Sequence, residues 1–423
     1  MNTNGLKQAL YNEKYIKMFA KLYGDKAKNA PERYKALIDG FVENFGDSDS
    51  LRLFSAPGRT EIGGNHTDHQ QGNVLAASVD LDIIAACAEN GTNTIRIKSQ
   101  GFECDVIDLD DLGVHEDEIN TSAALIRGIA AKFVQMGCKV RGFDAYTTSN
   151  VLKGSGLSSS AAFEVLVGQI INAMFFENSL SAPIIAQIGQ YAENVYFGKP
   201  CGLMDQMACA VGGVIAIDFY DKGNPQIHKM QVDLSYVGYA LCIIDSGADH
   251  VDLTDEYAAI TGEMKSVASV FGQEVLSRCS KTEVIKNSAE IRKKCGDRAF
   301  LRAMHFFDDN ERVKEQVDII EHGLFDDFLK KVKESGYSSF MNLQNVYSTK
   351  DSKMQAVACV LAICADYLKE SGAYRVHGGG FAGTVQAFVP LDLLHEFENI
   401  MEDTLGKNMC HVLNIRPVGV TEL

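Results

Sequence analysis

Apolar residues recur every three to four positions over residues 10–23 and again through Tyr34, Leu37 and Ile38. The first fifty residues therefore read as helices, broken around Asn29-Ala30-Pro31. From Leu51 the texture changes: residues 52–55, 73–79, 83–88 and 94–98 are short strand-like runs between Gly, Asn and Asp turns. Residues 122–136 return to helical spacing, and 143–148 read as a strand. Residues 160–176 are so evenly apolar that, as a helix, they must be buried. A helix over 183–197 puts Ile184, Ile188, Tyr191 and Val195 on one face. Glu193 falls on another, beside Ala186, Gly189 and Gln190, where small neighbours permit close approach. After a strand at 214–219, the polar turn 221–225 is the expected boundary, dividing the chain into residues 1–220 and 221–423. The second part holds a strand at 239–244, long helices to about Glu334, and a β–turn–β–α–β ending at 374–377, 384–389, 391–405 and 410–415. The fold class is α+β with mixed sheets.

At 423 residues the chain exceeds one comfortable core, in keeping with two domains. Hydrophobic content of 46% with 23% charged residues suits a soluble protein. No apolar run approaches the ~20 residues of a membrane span. The N-terminus lacks the charged and apolar regions of a signal peptide, and the eleven Cys include no Cys-x-x-Cys pair, so a reducing cytoplasm is expected. In that setting the sequon Asn65-His66-Thr67 is coincidental. The net charge of −16, with no basic run, argues against nucleic acid and anionic membranes as partners. The oligomeric state is not legible in the sequence, and a monomer is compatible with it.

Four segments carry candidate chemistry. Residues 151–163 read Val-Leu-Lys-Gly-Ser-Gly-Leu-Ser-Ser-Ser-Ala-Ala-Phe. Gly154 and Gly156 let backbone N–H groups approach a ligand, and Ser158, Ser159 and Ser160 bring hydroxyls to a helix N-terminus that favours anions. The loop is neither a P-loop nor a GxGxxG fingerprint. It reads as a polyphosphate cradle on another fold, or as a serine-rich cap of a buried helix. Asn65, His66 and Asp68 offer amide, imidazole and carboxylate within four residues, suited to gripping several hydroxyls of a sugar or to capping a strand. A metal site at His66 and His69 lacks a third ligand at a recognisable spacing. Asp205 is the one carboxylate in the mostly apolar segment 201–210, and so needs a cation, a helix N-terminus or a catalytic role. His377-Gly378-Gly379-Gly380 has no Gly-x-Ser-x-Gly partner, which excludes a serine hydrolase, and its glycines let backbone close over a substrate or over the phosphate loop.

Taken in order, Pro57-Gly58-Arg59 with Asn65-His66-Thr67-Asp68, residues 154–162, Ala192-Glu193-Asn194, residues 201–206 and Gly378-Gly379-Gly380-Phe381-Ala382-Gly383 resemble the GHMP kinases, and among them the galactokinases. The blocks span residues 51–415. The resemblance implies an N-terminal α/β domain carrying the phosphate loop, a ferredoxin-like C-terminal α/β domain and an active site in the cleft between them. It implies ATP and Mg²⁺. Gly154, Ser155, Gly156, Leu157, Ser158, Ser159 and Ser160 match the ATP loop, and Ser160 and Glu193 the Mg²⁺ ligands. Asp205 matches the catalytic base and Arg59 its charged neighbour; Asn65, His66, Asp68, Gly202 and Tyr257 match the sugar-binding set. The implied reaction is phosphorylation of D-galactose to galactose 1-phosphate. A 1-kinase for galacturonate or L-arabinose and a non-catalytic sensor are the rivals.

The chain departs from that pattern where galactokinases read Gly-Glu-His-Thr-Asp-Tyr. Here Asn65 replaces the Glu that helps hold the sugar, which makes Asn65 the expected reader of the sugar's C6. Glu61 for the usual Asn and Ala382 for a glycine are two further changes.

Overall fold

A computed structural model of the chain describes residues 3–152, 156–221, 223–248, 253–381 and 383–423. Gly154 and Ser155 of the expected phosphate loop, and Ala382, lie outside the described residues.

The strands form two sheets. The larger follows the order β12-β1-β2-β5-β3-β4, with β6 and β7 continuing from β2, where β1 is Arg52–Gly63, β2 Asn73–Glu89, β3 Thr94–Ser99, β4 Cys104–Asp108, β5 Phe143–Ser149, β6 Val214–Asp218, β7 Gln226–Met230 and β12 Thr421–Glu422. Only the β3–β5 pair is parallel among them. One face is covered by the helices Ser122–Gln135, Ser159–Phe175, Ala182–Ala192 and Met204–Val211. On the other, Phe19, Tyr34, Leu37 and Ile38 of the N-terminal helices pack on Ile84 and Ala86 of β2.

The second sheet is antiparallel in the order β11-β8-β10-β9, with β8 Tyr239–Asp245, β9 Ala373–Val376, β10 Thr384–Pro390 and β11 Cys410–Leu413. Helices Ala356–Leu368 and Leu394–Leu405 fill one face through Val357, Val360, Cys364, Phe397 and Met401. Leu241, Ile243 and Phe388 turn the other way and join Phe328 and Leu329 in the core shared with the large sheet. The chain order β8, helices, β9, β10, helix, β11 is that of a ferredoxin-like unit.

Several boundaries differ from the sequence reading. The two runs at 73–79 and 83–88 are one continuous strand, because Asp80 and Asp82 are not turn residues. Asp80 meets Lys26 at 2.7 Å, and Asp82 is fully buried against Arg33, Arg416 and the Tyr23 hydroxyl. The expected boundary at 221–225 falls between β6 and β7, which pair antiparallel within the large sheet, so the chain changes sheets between Met230 and Tyr239. The expected helix over 183–197 is α-helical only to Ala192. Glu193–Phe197 form a π turn, whose wider pitch shifts the phase and leaves Val195 45% exposed. Strands β4, β7 and β12 and the apolar helix Ala356–Leu368 were not legible.

Candidate active site

Arg59 lies on β1 just past a bulge between Pro57 and Arg59. Gly58 must be glycine there, since a Cβ would sit 2.9 Å from the Leu157 carbonyl oxygen. That proximity brings the strand against the phosphate loop: Arg59 N donates to Leu157 O at 3.0 Å and its Nη1 donates to Gly156 O. The rest of the guanidinium forms a fork with Asp205, Nε to Oδ1 and Nη2 to Oδ2, both at 2.7 Å. Ser158, held in the left-handed region at φ 58°, donates its hydroxyl to the same Oδ2 at 2.7 Å. Asp205 stands in the first turn of Met204–Val211, with Leu203 as the N-cap residue, and 31% of its side chain remains accessible. Burial pushes its carboxyl up, but the charge and hydrogen bonds of Arg59 and the Ser158 hydroxyl outweigh this and hold it below the usual carboxylate range. Asp205 is therefore an ionised acceptor aimed at the phosphate loop.

Leu157 points into the core, while Ser158, Ser159 and Ser160 are half-buried. One helical turn after Ser160, Glu164 is fully buried and receives Gln206 Nε2 at 2.9 Å; the same nitrogen donates to Glu193 Oε2 at 2.8 Å. Gly189 permits this approach, its missing Cβ lying 3.1 Å from Glu164. Burial, and then the charge of Glu193, push the Glu164 carboxyl well above its ordinary range. No group of three His, Cys, Asp or Glu among the described residues forms a metal cage. The set does suit a hard cation that keeps phosphate oxygens: a hydroxyl at Ser160, a carboxylate at Glu193, and buried oxygens of Glu164 and Gln206 without donors beside them. Neither Glu164 nor Gln206 was singled out from sequence. Glu164 carried a signal, being the lone carboxylate in an apolar helix, as Asp205 was in its segment.

The third group surrounds the glycine turn. Gly378 O accepts from Asn65 Nδ2 at 2.7 Å, Gly379 O faces His66 Nε2 at 3.1 Å, and Gly380 O accepts from the Tyr257 hydroxyl at 3.0 Å. A carbonyl only accepts, so His66 carries its proton on Nε2 and presents Nδ1 as an acceptor. Burial and the neighbouring His69 pull the imidazolium down to about 3, so His66 is neutral. Asp68 Oδ2 rests against Gly202, where a Cβ would come within 1.8 Å. A Cβ on Gly156 would lie 2.9 Å from His377 Nδ1, which ties the glycine turn to the phosphate loop. The Asn65 side chain is fully buried among protein partners, a setting unlike that expected for a reader of the sugar.

Two family models match this chain, "GHMP kinases N terminal domain" over residues 124–213 and "Galactokinase galactose-binding signature" over residues 39–89. A galactokinase of Actinobacillus pleuropneumoniae is 27% identical over 372 residues, 87% of this chain and 92% of that protein. One of Mannheimia succiniciproducens is 28% identical over 379 residues, at the same coverage. Among solved structures, Lactococcus lactis galactokinase complexed with galactose superposes with a TM-score of 0.79 at 23% identity, covering 92% of this chain and all of that one, and so shares its fold. The chain thus carries a match to the GHMP kinase N-terminal domain over residues 124–213 and shares the fold of a galactokinase. The match to the galactokinase galactose-binding signature and the curated relatives make it similar to the galactokinases.

Proposed function

We propose that the protein transfers the γ-phosphoryl group of ATP to the anomeric C1 hydroxyl of D-galactose, giving galactose 1-phosphate. The observation that carries this reading is the Arg59–Asp205 fork, with Ser158 of the phosphate loop on the same carboxylate. A base, a fixed cation and a phosphate cradle meet at one point.

Phosphoryl transfer asks chiefly for in-line positioning and neutralised charge. Asp205, ionised and held by two arms of Arg59, orients the C1 hydroxyl and accepts its proton as the bond to phosphorus forms. Arg59 keeps its charge beside the transferring group. The helix N-terminus at Ser159 and the amides of residues 156–158 would take the nucleotide phosphates. Ser160 and Glu193 would hold Mg²⁺, which would supply charge neutralisation at the phosphates when bound. His66, Asp68, Gly202 and Tyr257 line the sugar side.

The polar atoms offered there, His66 Nδ1, Asp68 and Asp205, are acceptors, which suits a neutral ligand rich in O–H donors and opposes a C6 carboxylate. This favours galactose over galacturonate. A sensor would need neither the base nor the carboxylate pair at Glu164 and Glu193. All eleven cysteines are free, in keeping with a cytoplasmic location, and no helix among the described residues is long and apolar enough to cross a membrane. The test is ADP release over a panel of hexoses, pentoses and uronic acids, with the product position read by ³¹P NMR. Galactose is expected to head the panel with phosphate on C1; a higher kcat/KM for galacturonate or L-arabinose would replace this reading.

A further inference from the structure

Two positions depart together from the galactokinase pattern, Glu61 for Asn and Asn65 for Glu, and their side chains touch: Asn65 Nδ2 donates to Glu61 Oε1 at 2.9 Å. Amide and carboxylate are both present, in exchanged places. We propose that the two departures are a single exchange, and that Asn65 is a positioning residue for the His66 loop instead of a ligand of the sugar. The ligand half of this statement rests on the sugar-kinase reading above.

An amide has two hydrogens to donate and a carbonyl that accepts two bonds. Asn65 spends one hydrogen on Glu61 and the other on Gly378 O, and its Oδ1 receives Asn345 Nδ2 at 2.8 Å and Ser339 Oγ at 3.2 Å. It has no accessible surface, and nothing is left over for a hydroxyl. Its backbone is held as firmly, N to Asp309 Oδ2 at 2.8 Å and O to His305 Nε2 at 2.9 Å, both partners on the helix Asp297–Glu321. One residue thus ties β1, that helix, the segment 339–345 and the glycine turn together. The next residue, His66, sits at φ 59° with its ring on Gly379 O. A side chain so placed sets where His66 points.

The contacts also penalise either change made alone. Glu61 Oε1 receives Arg375 Nη2 at 2.8 Å, and Arg375 is itself fully buried. A Glu at 65 would bring a second carboxylate against Glu61 and against the Gly378 carbonyl, acceptor facing acceptor. An Asn at 61 alone would take from the buried Arg375 the carboxyl oxygen that its Nη2 donates to. Together, the two changes restore one amide–carboxylate contact and a single negative charge.

The test is a cycle of Glu61→Asn, Asn65→Glu and the double variant in the full chain, read by thermal unfolding without ligand and by kinetics with galactose and ATP. Each single change should lower Tm and raise the galactose KM about tenfold, the scale of a displaced binding group, with the ATP KM within about twofold of wild type. The double variant should recover more than half of the Tm loss. Asn65→Ala, assayed with monodeoxy-galactoses beside His66→Ala, should keep the wild-type penalty for each missing hydroxyl except any that His66→Ala also relieves. Strictly additive Tm losses, or Asn65→Glu with unchanged Tm and galactose KM, would overturn the exchange. A deoxy sugar whose penalty vanishes in Asn65→Ala but persists in His66→Ala would make Asn65 a ligand. If the wild type does not turn over galactose, the kinase reading fails, while the Tm cycle still decides whether the two residues act as a pair.

Discussion

Two carboxylate–arginine pairs lie on or against strand β1, and their contrast separates chemistry from architecture. Asp205 meets Arg59 through a two-pronged fork, adds a serine hydroxyl, and keeps 31% of its side chain accessible. Glu61 meets Arg375 through a single 2.8 Å contact, shares that oxygen with Asn65, and is buried. The first carboxylate is held below its ordinary range and the second is pushed up to about 7, by burial that Arg375 and Arg59 only partly offset. Both have an arginine at hydrogen-bond distance. What differs is how many donors the negative charge finds once water is removed, and that decides which carboxylate is a ready base.

If the Asp205 pair is the reaction centre, Asp205→Asn should cost the most, lowering kcat by roughly 10²-fold or more while nucleotide affinity by calorimetry is retained. A variant turning over near the wild-type rate would dissolve the contrast, leaving both pairs structural. Next in size comes Glu193→Gln. A neutral amide is a poorer ligand for a hard cation, so the Mg²⁺ concentration for half-maximal rate should rise by about tenfold or more, with little change in Tm. Unchanged Mg²⁺ dependence would reduce Glu193 to a partner of Gln206 and Lys199.

Of the candidate site, the cluster of Arg59, Ser158 and Asp205 was legible in the sequence and the setting of Asn65 much less so, for a physical reason. Arg59, Ser158 and Asp205 belong to short segments whose composition is odd on its own terms: a glycine-serine loop, a carboxylate amid apolar neighbours. Asn65 is equally conspicuous in its segment, but its partners Ser339, Asn345, Gly378, His305 and Asp309 lie some 240 to 313 positions away. No local pattern says which of two roles a buried amide takes when both are chemically open to it. The same limit explains β2. Asp80 and Asp82 look like a turn until Lys26, Arg33 and Arg416 arrive from distant segments to make a strand interior possible.

The smallest effect is also the sharpest test of the contrast, because it asks whether Glu61 is a burdened carboxylate. With a folded value raised from 4.5 to about 7, Glu61 stays protonated in the folded chain over a range where the unfolded chain has ionised. The folded state then binds more protons, so stability present below about pH 4.5 is lost as pH rises towards 7 and is flat beyond it. The displacement corresponds to about 3 kcal/mol at most. Arg59, Arg375, Asp68 and Asp309 act on Glu61 from the surrounding elements, and their own titrations are present in wild type and Glu61→Gln alike. They largely cancel in the difference. The difference in unfolding free energy, wild type minus Glu61→Gln, should therefore fall between about pH 4.5 and 7 and then level off. For Asp205 the sign reverses: its contribution is present at neutral pH and is lost on acidification, so the difference between wild type and Asp205→Asn should not decline over the same interval. A flat Glu61 curve would mean that the single arginine contact suffices to keep the charge, and the two pairs would then differ in position but not in kind.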